Sequence, residues 1–479
     1  MSRNTLSILI TLVVYQVILI AIGLWAGGRT RDTADFYLGG RRLGALVAAI
    51  SASASSSSAW TLLGVSGAAY TLGLPAIWLF PATILGFVVN WTWVGPRLHR
   101  LSHAEGSLTL SEVVAGDANH PLYPSILRLA SLVILFSFIF YIAAQFDAAG
   151  RTFASTFGMP ATASILIGGG VIVLYTLLGG FWAASVTDTV QGLLMAATAL
   201  ILPMVALMTV GGPMVLRAGL QAGAGSGALT LTGQDAPWLG LAFVLGTLGI
   251  GLGYPGQPHV VNRFMALKDE SSLRHGRVIA LTWAVVIYAG MILLGWCGRV
   301  LYPAAADHEQ IFFQAAGSLL PPVLAGVMIA AVLSAIMSTA DSQLLVAGSA
   351  VTHDLSLAGG RAAGSLARSR AVVLAISALA IAAALYLPDA IFSRVLFAWH
   401  AMGSAFGPIL LVRLTGRRLS SPALLAAMTC GFGLTVIFHF LPDAPGDIIE
   451  RVVPFAAALV IAWMGRTGTA PAATGKGMP

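Results

Sequence analysis

The sequence predicts an all-α polytopic membrane protein with about thirteen transmembrane helices, on three observations. Of its 479 residues, 57% are hydrophobic and only 9% charged, where a soluble domain carries about 25% charged residues. Apolar runs of about 20 residues recur along it, each long enough to cross a ~30 Å hydrocarbon core as a helix. The basic residues gather on one side of the resulting topology. The two cysteines, Cys297 and Cys430, offer neither a disulfide framework nor zinc-ligand spacing, and the nine histidines form no HExxH pair. No nucleophile–base pair or phosphate loop is visible, so an enzyme is not expected.

The expected spans are 6–26, 44–71, 76–96, 124–148, 158–180, 188–211, 237–260, 276–298, 318–350, 370–388, 392–412, 421–441 and 448–465. The first is too long for a signal peptide and lacks a small-residue cleavage pattern. With the N-terminus outside, nineteen of the 25 basic residues fall on the cytoplasmic side, from Arg29, Arg41 and Arg42 through Arg97, Arg100, Arg128, Arg263 and Lys268 to Arg413 and Arg466. The net charge of +7 is therefore read as topology, not as a nucleic-acid partner. One transporter domain, 1–466, is expected, followed by a disordered cytoplasmic tail, 467–479.

Two spans carry polar interruptions. The second contains SASASSSSAW, with six serines between positions 51 and 58. The ninth contains AAVLSAIMSTADSQLLVAGSA, 330–350. A helix broken inside a membrane frees carbonyls that need protein, water or a cation. Small residues at Ala52–Ser55 permit unwinding, and Ser338 and Thr339 supply adjacent hydroxyls of the kind hard cations bind. Equally, serines simply let helices pack closely. Among the acids in the spans are Asp147, Asp188 and Asp341. Each is a functional candidate by its cost in lipid. Asp188 also suits a helix N-cap, and Asp147 could reach water at a span end.

FYLGGRRLG, the serine run ending in Trp60, GGFWAASVTDTVQ, GLGYPGQPHVVNRFMA, IMSTADSQLLV and AWHAMGSAFGP together resemble the sodium/solute symporters, nearest to the sodium/proline branch. The resemblance implies a leucine-transporter-type core of two inverted five-helix repeats, here 44–212 and 237–414. It implies a sodium site built from Ala54, Ser57, Ala335, Ser338 and Thr339. A second cation site, found in some members, would use Asp188, Asp341 and Ser342. The substrate contacts it implies are Ser56, Ser58, Trp60, Tyr141, Gln145, Ile250, Tyr254 and Pro258. The branch has an aspartate where this chain has Ser56, and a tryptophan where it has Ile250. Arg41 matches a basic residue of the family at the start of span two, where it either influences coupling or sets topology. His400 either lines the cavity or packs between helices.

The function this implies is sodium-coupled symport of a small polar solute, foremost an amino acid such as proline, in a bacterial-type inner membrane. Proton coupling, kept open by the loss of the acid at Ser56 and its gain at Asp341, is the alternative, with a transporter-like solute sensor behind it. The partners implied are the solute, Na⁺ and the lipid bilayer. No further cofactor and no obligate protein partner is implied.

Overall fold

The computed structural model describes residues 3–27, 38–178, 180–222, 230–234, 236–360, 366–387, 389–442 and 444–469. Thirteen helices stand where the thirteen spans are expected. They are α1 (Arg3–Gly27), α2 (Ala45–Leu72), α3 (Leu74–Glu105), α4 (Tyr123–Phe157), α5 (Ala161–Leu178) and α6 (Phe181–Val210). After a loop come α7 (237–266, in two pieces), α8 (Glu270–Leu301), α9 (Pro322–Ala358) and α10 (Leu366–Tyr386). The last three are α11 (Ile391–Arg413), α12 (Ser421–His439) and α13 (Ile448–Met464). Eleven are long and apolar enough to cross a membrane. The others, α5 and α13, have 18 and 17 residues.

Local chemistry sets many of the ends. Pro237 and Pro322 open α7 and α9 at positions where the missing N–H costs nothing. The Asp269 side chain caps α8 by accepting from Ser272 N at 2.7 Å. Gly73, Gly158 and Gly211, all with positive φ, follow the last residues of α2, α4 and α6. Helices α2, α9 and α11 are buried at the centre, whereas α1, α10 and α12 show most of their surface outward.

The two interruptions lie in α2 and α7, not in α2 and α9. In α7, Gly249 ends the first piece, a 3₁₀ turn covers Ile250–Gly256, and Gln257 is extended at φ −93°, ψ 103° before Pro258 restarts the helix. Pro255 and Pro258 remove donors from the ladder, and a residue preceding proline is pushed out of the helical region. Helix α9, by contrast, runs as unbroken α-helix from Pro322 to Ser349. Its serine hydroxyls turn back on the helix's own carbonyls. Ser334 donates to Ala330 O at 2.7 Å, Ser338 to Ala335 O at 3.3 Å and Ser342 to Ser338 O at 2.9 Å. Hydroxyls bonded this way decorate a helix without breaking it.

Two further expectations are corrected. The tail does not begin at 467: Arg466–Thr469 pairs antiparallel with Arg417–Leu419, two polar segments that satisfy each other's backbone where helices α11 and α13 end. Residues 470–479 lie outside the described residues. Span six begins at Phe181, not 188, because the small and apolar residues 181–187 continue the helix toward Gly180, whose extended backbone ends it.

At the α7 interruption, α11 crosses with no space for side chains. A Cβ on Gly403 would fall 2.6 Å from Gly253 Cα, and one on Gly256 2.7 Å from Gly403 Cα. Backbone faces backbone, so neither side can yield. Gly403→Ala is expected to lower stability by about 1–3 kcal/mol, read as a lower melting temperature in detergent. Gly433→Ala on α12, where a Cβ meets nothing within 4 Å, is expected to leave the melting temperature unchanged or raised.

Candidate functional site

Helix α2 breaks at Ser58, whose φ of 28° and ψ of −174° are non-helical. The break leaves amide donors at the head of the second half, and side chains meet them. Ser58 Oγ accepts from Trp60 N at 3.1 Å, and Gln145 Oε1 on α4 accepts from Ala59 N at 3.1 Å. Ser58 therefore acts as the N-cap of the restarted helix. Tyr141, one turn before Gln145 on α4, donates to Ser58 Oγ at 3.4 Å. Three residues expected to touch substrate thus hold the break open.

The first half of α2 ends against α9. Thr339 Oγ1 donates to Ser55 O at 3.0 Å, and Ser55 Oγ donates to Ser338 O at 3.0 Å. This reciprocal pair brings the terminal carbonyls of a broken helix, which have no partners of their own, to the two hydroxyl residues of the expected sodium site. Ala335 O lies 3.3 Å from Ser338 Oγ. Ala54 packs toward Gly192 of α6. Ser57 Oγ is turned the other way, 3.4 Å from Tyr288 OH on α8, and its backbone carbonyl already accepts from Trp60 N, which leaves that oxygen's second lone pair for an ion.

The residues expected for a second cation converge as well. Ser51 Oγ donates to Asp188 Oδ2 at 2.7 Å, and Ser55 Oγ lies 3.3 Å from the same oxygen. Ser342 Oγ lies 3.0 Å from Ser55 Oγ and 3.2 Å from Asp341 Oδ1. Asp188 is eight residues into α6 and fully buried, so it is no N-cap. Its partner is Arg263, from the second piece of α7. Arg263 is 1% exposed and pairs with Asp188 at 3.0 Å. Sequence reasoning counted Arg263 among the topology-setting charges. Its flanking residues, VVNRFMA, are the signal that it sits in an apolar environment.

The substrate candidates form an aromatic and polar wall around the two breaks. Trp60 stacks on Phe392 at 5.6 Å and tilts against Tyr288 at 6.3 Å. Tyr254 OH lies 3.1 Å from Tyr288 OH, and its ring meets Trp399 edge-on at 4.7 Å. Tyr288 also lies 3.4 Å from Thr61 Oγ1. It is a hub that the sequence reading missed, being one tyrosine in an apolar span. Pro258 opens the second piece of α7. Trp60 Nε1 and Gln145 Nε2 are buried donors without partners among the described residues.

The profile of the sodium:solute symporter family matches residues 36–431. The chain belongs to the sodium:solute symporter family. It is 36% identical over 470 residues to the osmoregulated proline transporter OpuE of Bacillus subtilis, spanning 94% of this chain and 92% of that one. It is 36% identical over 443 residues to the sodium/proline symporter of Escherichia coli, spanning 90% and 87%. The solved structure of a Na⁺-coupled sialic acid symporter in its substrate-bound outward-open state matches with a TM-score of 0.79. The match covers 96% of this chain and 99% of that one at 17% identity, and shows the shared fold. That fold is the leucine-transporter type. Membership makes the protein a multi-pass membrane carrier, not an enzyme, and gives it sodium-coupled solute import as its function.

The departures from the branch pattern are now located. Ser56 Oγ donates back to Ser53 O at 2.9 Å. Ile250 is buried and its carbonyl accepts from Trp399 Nε1 at 3.1 Å, so the α11 tryptophan covers that turn. His400 is 1% exposed, and its Nε2 has no partner among the described residues. Arg41 ties to Ser102 O at 3.2 Å and Ser107 O at 2.8 Å, which makes it a clamp on the connection after α3. Burial lowers its pKa from the usual guanidinium value, against an opposing pull from Glu112. Asp147 pairs with Arg151 at 3.1 Å.

Gln145→Leu leaves Ala59 N–H buried without an acceptor, at a cost of about 1–3 kcal/mol. The variant is expected to raise KM for solute more than it lowers maximal uptake, while Gln145→Glu, which keeps the acceptor, is expected to retain more of the affinity. Initial-rate uptake at varied solute concentration checks both.

Proposed function

We propose that the solute is proline or a closely similar zwitterionic amino acid, cotransported inward with Na⁺. We further propose that Na⁺ is held by Ala54 O, Ser57 O, Ala335 O, Ser338 Oγ and Thr339 Oγ1. The observation that carries the reading is the break of α2 at Ser58 with Thr339 of α9 at 3.0 Å from Ser55 O. Oxygens from two helices far apart in sequence meet where one of those helices has given up its own hydrogen bonds. For the solute, support comes from the curated relatives, which are proline transporters, and from the unpaired donors Trp60 Nε1 and Gln145 Nε2. A carboxylate would satisfy both.

Residues 44–212 and 237–414 each hold five helices, and the first of each five is the interrupted one, α2 or α7. This pattern supports two inverted repeats with the binding sites at their broken members. The distribution of basic residues supports an external N-terminus and a cytoplasmic C-terminus, in a bacterial inner membrane.

Coupling then follows from which helices supply the ligands. A cation bridging α2 and α9 stabilises the arrangement in which they are close, and with it the wall formed by Trp60, Tyr254 and Tyr288. The ion drives transport only through that difference in affinity between states. When α2 and α9 separate toward the cytoplasm, the Ser338 and Thr339 oxygens leave the α2 carbonyls and the ion is released. Each charge moved inward contributes about 2.3 kcal/mol per 100 mV.

Thr339→Ala and Ser338→Ala each remove one oxygen from the ion. Hydrogen bonds to charged groups, taken as a guide to that contact, are worth about 1.5–3 kcal/mol. The Na⁺ concentration for half-maximal uptake of labelled proline is therefore expected to rise about 10- to 100-fold in each. Wild-type proline uptake that is indifferent to replacing Na⁺ by K⁺, but collapsed by a protonophore, would move the reading to proton coupling.

A further inference from the structure

We propose that Arg263 is the resident cation of the second site, so that the carrier binds one Na⁺ per chain rather than two. This rests on the sodium-coupled reading and specifies its stoichiometry. The guanidinium meets the oxygens a second ion would use. Its NH2 donates to Ser55 Oγ at 3.0 Å, to Asp188 Oδ2 at 3.0 Å and to Ser342 Oγ at 2.6 Å, and its Nε donates to Ser51 Oγ at 3.1 Å. Its NH1 donates to His259 O on its own helix, and its central carbon lies 5.0 Å over the Phe181 ring.

A sodium ion between Asp188, Ser55 and Ser342 would lie beside a fixed positive charge among buried side chains. The oxygens that would coordinate it are already accepting from nitrogen. Unlike an ion, the guanidinium cannot leave, because α7 carries it. Its shape suits the position, with several donors in a rigid fork directed at one carboxylate and three hydroxyls.

Charge counting points the same way. With both carboxyls ionised, Asp188, Asp341 and Arg263 would sum to a formal −1. One Na⁺ at the nearby α2–α9 junction brings the buried assembly to zero, and a second would leave it at +1. Asp341 is joined to the cluster through Ser342. Its Oδ2 has no partner among the described residues, and the residue lines a small cavity of about 10 Å³ with Tyr175, Thr176 and Leu345. The uncompensated carboxylate therefore lies on the edge of the cluster, and the place between Asp188 and Ser342 belongs to Arg263.

Removing the guanidinium should recreate a vacant hard-cation site, with two carboxylates and the hydroxyls of Ser51, Ser55 and Ser342 around it. The test is equilibrium ²²Na⁺ binding to the purified full chain in detergent, without solute. Wild type is expected to bind one Na⁺ per chain, Arg263→Lys one, and Arg263→Gln two, the second lost again in Arg263→Gln/Asp188→Asn. Two Na⁺ bound to wild type, or one bound to a folded Arg263→Gln, overturns the proposal. If Arg263→Gln does not fold, the wild-type count decides alone. Thr339→Ala separates this from the underlying reading: sodium binding lost there while the wild-type count is two leaves the carrier sodium-coupled but without a tethered cation. No Na⁺ binding to wild type at all sinks the sodium reading itself.

Discussion

The structure depends on one exchange of hydrogen bonds between α2 and α9. Where α2 breaks at Ser58, it gives up helical bonds in a place that lipid cannot repair. The lost partners are replaced from neighbours: Thr339 for Ser55 O, Ser58 and Gln145 for the amides of Trp60 and Ala59. Every replacement comes from a residue proposed for, or expected in, the binding region. The break is therefore not a defect stabilised elsewhere. It persists because the groups that would bind ion and solute are the groups that satisfy it, which makes its geometry responsive to whichever ligand is present.

Much of this is legible in the sequence. Thirteen apolar runs become thirteen helices because hydrophobic length is a direct physical requirement of the bilayer. The serine run announces a break because six small polar residues have little to hold them in a continuous helix there. Misreading α9 as a second interruption has a specific cause. Hydroxyls alone do not distinguish a helix that unwinds from one whose serines bond back to its own carbonyls. Glycine and proline do, and between Gly326 and Gly348 the chain has neither, whereas GLGYPGQP has three glycines and two prolines. The second interruption is written in α7 in backbone terms, where side-chain chemistry gives no sign of it.

What could not be read was the pairing of buried charges. Arg263 and Asp188 are 75 residues apart in sequence, and nothing local to either names the other. A basic residue close to the cytoplasmic end of a span satisfies the positive-inside rule whether it lies in water or folds inward, so the count that sets the orientation also conceals Arg263. Tyr288 escapes for the same kind of reason. Its role arises from four side chains on three helices meeting at one hydroxyl, and only the tertiary arrangement creates that meeting.

Ser56 shows how such pairing constrains the site. The resemblance implies an aspartate at this position in the sodium/proline branch; here the hydroxyl donates back to Ser53 O at 2.9 Å and adds no charge to the break. A neutral group there would leave the α2–α9 junction with less attraction for a cation, unless another acid lay close. Asp341 is that acid: it sits two residues beyond Thr339 on α9, buried, and adjoins the Arg263 cluster through Ser342. Relative to the proposed ion site, the charge then stands on the α9 side rather than on the α2 side. Attraction between unit charges falls only as the inverse of their distance, so a carboxylate at Asp341 can act on a cation at the proposed junction site without touching it, and the proposed direct ligands are all neutral oxygens. With carbonyls and hydroxyls as the proposed first contacts and one carboxylate behind them, an ion there would be attracted strongly enough to bind and held loosely enough to leave, and a carrier needs both.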